Sequence, residues 1–551
     1  MLVRHAAIQR WHVTIQEQKM PTGDNWIEYE GKVYPVAAGQ TALEAMLAGG
    51  ADLFFSCRKG TCRSCMLESV SGDPGESAQK NLPEEFREQN FFLPCMTSCP
   101  DKVVARVPDS SKCVKRCQLH EVSEVGPSIY KVLLEPESVI EWMAGQYISI
   151  HGPEMQARSY SIVNRPDDYF IELHIRHYPN GAVSDWIVNE LSAGDTVELT
   201  GPVGECSYSS DMADMPVLLI GNGTGGGVLA GIAEDALRQG HGASVRMVHG
   251  ARDNASHYLK EKLAELSDRF ENFSSDCVIA SAPSYEFVAD ALDTESDLEN
   301  HIVFLCGAPD MVEMARIATV WKGAELENIK SDPFESGEKY APKDSEKIAS
   351  IKPDPELWAA LGNGDLLSEI LEDFYSQVFE DEKLAPFFRK VTKTRLVEKQ
   401  WAFLSDLFQG TQLYFGERPF NSHHWMIISD ELFDYREKLF FDVVEKYDFP
   451  KHLIHRWAAT HELFRREIVK STPRGQWMDG KEFHKPSFEM ETLIVDTLCD
   501  GCANEIHEGE KVRHYIRTGE LFCANCVENA SFDAAGMPTD ISDAAMLSRT
   551  G

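Results

Sequence analysis

The chain has 551 residues, more than one hydrophobic core serves, so several domains are expected. Hydrophobic residues make up 43% and charged residues 26%, a globular balance, while 88 acidic against 53 basic residues leave a net charge of -35. That charge repels nucleic-acid phosphates and anionic membranes. No apolar run is long enough to span a bilayer, and MLVRHAAIQRWHVTI lacks a signal core, so a cytoplasmic chain with no nucleic-acid or membrane partner is expected.

Residues 1–108 mix short β-type runs (HVTIQ, CMLESV, KVVARV) with one helical stretch, TALEAMLAGG. Three cysteines, Cys57, Cys62 and Cys65, fall within SCRKGTCRSC, and Cys95 follows after 29 residues. Cys-x4-Cys-x2-Cys with a distant fourth Cys is the plant-type spacing for a [2Fe–2S] cluster. Gly60, Thr61 and Ser64 are small enough to let backbone N–H groups approach the sulfurs. The rival, zinc, prefers two Cys-x2-Cys pairs, and this segment has one. FSCRKGTCRSC…LPCMTSC resembles plant-type ferredoxin domains, which implies an α+β fold of the β-grasp kind. Of the remaining cysteines, Cys99, Cys113, Cys117, Cys206, Cys277 and Cys306 are scattered and read as buried small hydrophobes.

Residues 109–210 give many short strands with turn signals between them, the pattern of an antiparallel β barrel. From 211 to 335 strands alternate with helices, beginning at MPVLLIGNGTGGG, which argues for a parallel α/β sheet. Five motifs occur in order: RSYS, GAVSDWI, GNGTGGG, CGAPDM and SDPF. In this order they resemble the ferredoxin–NADP reductase superfamily. The resemblance implies that Arg158 meets a flavin phosphate, Tyr160 packs on the flavin ring and Ser161 bonds near its reactive nitrogen, with Ser159 in the same motif. It implies that Gly181 and Ser184 open a helix against the flavin pyrophosphate, and that Phe334 ends near the flavin, with FAD favoured over FMN. Gly221, Gly223, Gly225, Cys306 and Gly307 would lie along the nicotinamide nucleotide, Cys306 beside its ring. Arg252 is the one obvious cation after the second strand, so NADH is favoured over NADPH. With the ferredoxin unit in front, the whole resembles the one-chain reductases of bacterial oxygenases.

Residues 336–353 are polar with little periodicity and read as a linker. Residues 354–472 are helical and aromatic: DFYSQVFEDEKLAPFF, KQWAFLSDLFQGTQLYFG and NSHHWMIISDELFDYREKLF. They resemble a truncated globin, which implies haem b. The register to Ile428 and Ser429 selects His423 as the iron ligand, with His424 as the alternative. Tyr375 and Gln400 would face a bound gas, Leu396 would lie over the iron and Phe388 would wedge the porphyrin. The turn is Gln409-Gly410-Thr411 where Gly-Gly-Pro is common, and Arg436 stands where one group of these globins has Trp. A helical bundle without haem is the bland alternative.

In residues 473–551, Cys499-x2-Cys502 and Cys523-x2-Cys526 are separated by 20 residues, a zinc pattern, with a rubredoxin-like iron site as the lesser reading. Seven basic against 14 acidic residues argue against DNA binding there. The sequence thus implies an NAD(P)H-dependent oxidoreductase that carries electrons through FAD and [2Fe–2S] to a haem acting on O2 or NO. Nitric oxide dioxygenation enters by analogy with flavohaemoglobins. The competing readings are a reductase for a separate oxygenase, with the globin as a gate, and an O2 or NO sensor.

Overall fold

The computed structural model describes residues 25–529 apart from 38–39, 99–100, 109–112, 280–283, 296, 335–340, 389–390, 412–413, 415, 472–473, 479, 484–487 and 516–519. Among the described residues, no helix is long and apolar enough to cross a membrane.

The first unit is a sheet of Trp26–Tyr29, Lys32–Pro35, Leu67–Asp73, Phe91–Phe92 and Asp101–Arg106, in spatial order 2-1-5-3-4. The first and fifth strands run parallel; the other neighbours are antiparallel. Helix Ala42–Ala48 starts at Thr41. The Thr41 hydroxyl accepts from the Glu44 N–H and the Glu44 carboxylate accepts from the Thr41 N–H, which satisfies two end donors at once. Leu43 and Met46 of this helix join Ile27 and Val103 of the sheet in one core.

Next come Lys115–Gly126, Ile129–Pro136, Tyr147–His151, Ala157–Ser161, Ile171–Arg176 and Thr196–Val203, all paired antiparallel in order 5-2-1-6-3-4. A bridge between Ile162 and Leu173 ties the end of the fourth strand to the fifth and closes the sheet on itself. In IELHIR the buried Ile171, Leu173 and Ile175 alternate with less buried neighbours, as a barrel wall requires.

The third sheet is wholly parallel: Val217–Asn222, Val245–Ala251, Phe273–Ile279, Ile302–Gly307 and Ile329–Pro333, in order 3-2-1-4-5. VLLIG and IVFLCG are buried throughout because helices cover both faces. The direction of winding reverses between the first and fourth strands. The turns that follow Asn222 and Gly307 therefore open on one crevice at the carboxyl edge.

Helices Asp365–Val378, Lys393–Gln409, Asp430–Glu445 and Lys451–Glu462 gather around Phe374, Phe440 and Trp457. The stretch expected to be a linker contains a helix, Asp344–Ser350, whose Lys347 pairs with Glu313 and Glu467. Its polarity reflects ion pairing with two domains, not solvation alone. After the helices, Phe488–Thr492, Lys511–Tyr515 and Glu520–Phe522 form a small antiparallel sheet. Cys117, Cys206 and Cys306 are buried as expected, Cys113 and Cys277 are only partly so, and Cys99 lies outside the described residues.

Two junctions fix the units against each other. Phe55 bridges to Gln156, the Ala157 N–H donates to the Phe55 carbonyl at 3.1 Å, and Phe54 stacks on His151 at 4.3 Å, so the first sheet sits on the barrel. At the second junction, Ala458 and Ala459 share a core with Met311, Val312 and Ala315 of helix Pro309–Trp321. Around them Arg316 pairs with Glu462 (2.9 Å) and Asp434 (3.4 Å), and Arg465 pairs with Glu462 (2.7 Å) and Asp430 (3.0 Å). The Glu462 side chain is 1% exposed, so two guanidinium groups balance one buried charge.

Candidate functional site

The cysteine loop is held in an unusual backbone shape: Arg58, Gly60 and Arg63 have φ of 55°, 80° and 59°. A Cβ on Gly60 would come within 2.7 Å of Met96, so only glycine fits there. The turn aims donors at sulfur. The Lys59 and Cys62 N–H groups point at Cys57 Sγ at 3.3 and 3.4 Å, and the Cys57 N–H at Cys62 Sγ at 3.5 Å. The side chains associate as two pairs, Cys57 with Cys62 and Cys65 with Cys95. Two thiol pairs suit two irons, so the residues fit a [2Fe–2S] group.

Beside this loop three elements meet at the mouth of the crevice. Ser161, at the end of a barrel strand, donates to the Asp332 carboxylate at 2.7 Å, and Cys306 Sγ lies 4.0 Å from the same oxygen. Burial raises Asp332 to about 6 and pushes the Cys306 thiol up. Sequence reasoning missed Asp332, although it stands two residues before Phe334 in the SDPF motif. It also missed Tyr147. That phenol lies beside Thr61 of the cysteine loop and within electrostatic reach of Cys57, Cys62 and Asp332.

The remaining expected residues fall around this point. Arg158 is exposed and donates to the Ala157 carbonyl at 2.8 Å and to Gln156 at 3.3 Å. Tyr160 is electrostatically close to Arg158 and Tyr178. Ser159 faces the other way, bonding Ser149 at 2.8 Å and Ser56 at 3.5 Å, which makes it part of the junction with the first sheet. Ser184 begins a short helix, Ser184–Asn189, and its hydroxyl accepts from the Tyr178 N–H at 3.3 Å; a Cβ on Gly181 would lie 2.6 Å from that hydroxyl. Across the crevice the two turns touch. A Cβ on Gly225 would lie 2.3 Å from the Cys306 carbonyl, and one on Gly307 (φ 137°) would lie 2.1 Å from Asn222 Oδ1. Gly221 is the last residue but one of the first strand, and Phe334 donates its N–H to the Gly307 carbonyl at 2.8 Å. Arg252 is exposed, but Arg176 reaches to 3.2 Å from the Cβ position of Gly223, a second cation at the glycine turn that the sequence reading overlooked. Arg176 ends a barrel strand, so nothing in the linear order links it to the nucleotide domain.

In the helical unit, His423 Nδ1 donates to the Pro419 carbonyl at 2.8 Å, which leaves the Nε2 lone pair available. Burial, then Lys470, lowers His423 to about 4, so the ring is neutral, as an iron ligand must be. His424 makes a similar bond to the Asn421 carbonyl at 2.6 Å. What separates the two is their surroundings. Tyr375 and His423 are both buried and both lie within electrostatic reach of the Arg436 guanidinium. Arg436 is itself steadied by Glu437 and by the faces of Phe374 and Phe440. Phe388 stands 6.1 Å from Tyr375, Leu396 packs on the core, and Gln400 is half-buried on the same helix. Ser429 caps the helix that follows, and Ile428 pairs with Lys470, which fixes the segment carrying His423. The residues fit a haem with one imidazole ligand.

In the tail, Cys499, Cys502, Cys523 and Cys526 bring their sulfurs within 4.8 Å of one another. Unlike the paired thiols above, this is one quartet, the arrangement suited to a single tetrahedral ion.

Four family models match the chain. They are a 2Fe-2S iron-sulfur cluster binding domain over residues 27–99, an oxidoreductase FAD-binding domain over 116–208, an oxidoreductase NAD-binding domain over 219–316 and a bacterial-like globin over 356–465. The ferredoxin–NAD(P)+ reductase component of a naphthalene 1,2-dioxygenase system from Pseudomonas putida is 26% identical over 323 residues, 56% of this chain and 98% of that protein. The reductase subunit of an aromatic O-demethylase from Amycolatopsis is 33% identical over 294 residues, 50% of this chain and 88% of that protein. Among solved structures, a cytochrome P450 reductase from Amycolatopsis shares 29% identity with a TM-score of 0.41, covering 57% of this chain and 100% of its own.

Proposed function

The chain belongs to the family of NAD(P)H-dependent FAD and [2Fe–2S] reductases, with a bacterial-like globin fused behind the reductase, and from this we propose that it sends electrons to its own globin, which acts on O2 or NO. When bound, FAD turns the hydride of NAD(P)H into single electrons for the [2Fe–2S] centre, and haem b supplies the iron to which a diatomic gas binds.

The chain's own residues set the conditions. The contacting turns at Gly225 and Gly307 seat the nucleotide with its ring at Cys306, and Arg176 adds positive charge at the glycine turn. NADH is taken as the donor. Arg158, Tyr160, Ser161, Gly181 and Ser184 hold the flavin, with Phe334 at its edge. Asp332, held by Ser161, is a carboxyl at this point that can keep or release a proton near neutrality. In the globin, His423 holds the iron, Tyr375 and Arg436 offer donors to a partly negative ligand, Gln400 stands by on the same side and Phe388 closes the pocket. The domain limits 108/109, 210/211, 335/336, 353/354 and 472/473, the truncated form of the globin and a Zn2+ in the tail are part of the same proposal.

One observation carries the direction of flow. The cysteine loop has two working faces. Tyr147, beside one face, lies in the field of Asp332, while Lys59 on the other lies in the field of Arg466, Arg474 and Asp430 of the globin side. The Arg474 N–H donates to the His424 carbonyl at 2.7 Å, next to His423. Cations from both domains thus converge where four thiolates would carry negative charge. For NO the balanced reaction is NO plus O2 plus one electron giving nitrate. The relatives, as reductase components, favour a second reading in which the cluster serves a separate oxygenase.

Anaerobic stopped-flow mixing with NADH tests the first reading. Globin absorbance should change at a rate independent of protein concentration, and Cys57→Ser should abolish the change while flavin reduction persists. A rate proportional to protein concentration, or no change at the globin, would favour the second.

A further inference from the structure

Beside the glycine turn, on the next two strands of the sheet, the crevice wall holds a group of side chains that the redox path does not use. His249 lies near the end of strand Val245–Ala251 and is 0% exposed. In the parallel register Cys277 stands directly beside it on the next strand. His257, from the turn after Asn254–Ser256, folds back so that its ring centroid lies 5.2 Å from that of His249. One ligand atom from each of the three comes within 4.8 Å of the others.

The hydrogen bonding prepares this group for a cation. His249 Nε2 is 3.1 Å from the Gly223 carbonyl, which can only accept, so Nε2 carries the proton and Nδ1 the lone pair. Among the described residues, His249 Nδ1 and His257 Nε2 are both buried without a hydrogen-bond partner, an arrangement that costs free energy unless something satisfies it. A carbonyl that fixes the tautomer of a ring whose other nitrogen is unsatisfied is the outer-shell arrangement of metal-binding histidines. Two imidazoles and a thiol favour a borderline-soft divalent ion over Mg2+ or Ca2+. With bonds of about 2.0–2.3 Å, tetrahedral ligand atoms sit roughly 3.5 Å apart, so small side-chain rotations would close the set, leaving the fourth position to water.

We propose that His249, His257 and Cys277 form a binding site for a zinc-class divalent cation in the wall of the nucleotide crevice, and that the cation and the nicotinamide nucleotide exclude each other. Exclusion follows from where His249 is anchored. Its Nε2 is bonded to Gly223 in the glycine turn, and its ring fills the space that a side chain on Gly226 would take, 2.3 Å from the Cβ position. A cation that pulls His249 toward His257 and Cys277 pulls on the turn that seats the pyrophosphate. Exclusion rests on the nucleotide reading of the crevice, whereas cation uptake does not, so the two can fail separately.

The test uses the full chain, anaerobically, with its tail intact. In equilibrium dialysis against Zn2+, the unmutated chain should take up one equivalent more than Cys277→Ser or His257→Gln, each checked for unchanged flavin content. Equal uptake by all three would overturn the site. Zn2+ should also slow maleimide labelling of Cys277 in the unmutated chain at least tenfold, read by peptide mass; labelling at the same rate would overturn it without recourse to a variant. Saturating NAD+ should weaken the extra Zn2+ equivalent at least tenfold. An affinity indifferent to NAD+, in a protein that still oxidises NADH, would overturn exclusion alone.

Discussion

Replacing Asp332 by Asn should make the nucleotide domain more stable, and by an amount that depends on pH. Burial raises the Asp332 carboxyl from 3.8 to about 6, and the Ser161 hydroxyl offsets this only in part. The folded form therefore prefers the proton. That advantage is complete below pH 3.8 and is lost as pH rises through 6. At pH 8 the ionised Asp332 costs about 3 kcal/mol relative to the unfolded chain, from roughly 2.2 units at 1.36 kcal/mol each. At pH 5 most folded molecules keep the proton, and the same linkage leaves about 1.6 kcal/mol. Asn has the shape of the acid, can still accept from Ser161 and never ionises. The Asn variant should accordingly exceed the parent by up to ~3 kcal/mol at pH 8, with the gap narrowing by ~1.4 kcal/mol at pH 5. Native-state hydrogen exchange of strand Ile302–Gly307, in protein freed of nucleotide, gives the opening free energy of this domain apart from the others. A gap of equal size at both pH values, or a less stable variant at pH 8, would show that Asp332 is not held near neutrality by burial.

Four further outcomes can be checked directly. Gly307→Ala meets a φ of 137° and Asn222 Oδ1 at 2.1 Å, a strain of about 1–3 kcal/mol. If that strain falls on nucleotide binding, the apparent KM for NADH in a ferricyanide assay should rise roughly 5- to 150-fold. His423→Ala should abolish the globin spectrum while His424→Ala keeps it, since His423 is buried and neutral and lies within the field of Arg436, as Tyr375 does. Tyr375→Phe should retain the spectrum and speed O2 dissociation by about tenfold, the loss of one hydrogen bond of roughly 1.5 kcal/mol to a charged group, measured by flash photolysis. Chelation of the tail, followed by metal analysis, should remove one zinc per chain and leave NADH-dependent flavin reduction intact; loss of flavin reduction would tie the tail to the reductase.

Sequence reached furthest where chemistry is compressed into a few adjacent residues. SCRKGTCRSC shows its donors, its small residues and its thiols within one turn, and the strand–glycine–helix run at 217–238 shows both the buried strand and the turn that follows. It reached least far where a site is assembled across the sheet order. Asp332, Cys306 and Ser161 come from three elements and two domains, and Arg176 reaches the glycine turn from a barrel strand. Tyr147 looks like any strand tyrosine until Thr61 is seen against it. The stretch read as a linker is ambiguous for a related reason. A polar, aperiodic stretch is equally the composition of a segment paired to charges on two neighbours, and Lys347 bonds to Glu313 and Glu467. His249 and Cys277 are 28 residues apart in the sequence but adjacent in register, a proximity that only parallel pairing creates.

Helix Pro309–Trp321 begins directly after the turn that contacts the glycine loop, and its flank is the seat of the globin through Ala458, Ala459 and the Arg316–Glu462 pair. The covalent connection between the two units is thus mechanically redundant. A chain nicked between them would run as one particle in gel filtration and come apart only when that apolar seat and its buried charges were exposed together. The globin rides on the very helix whose first turn follows Gly307, so whatever fills the crevice at that turn loads the same rod that carries the helical unit. Substitutions along residues 309–321 should behave as lesions of both halves at once, even where they touch neither redox group.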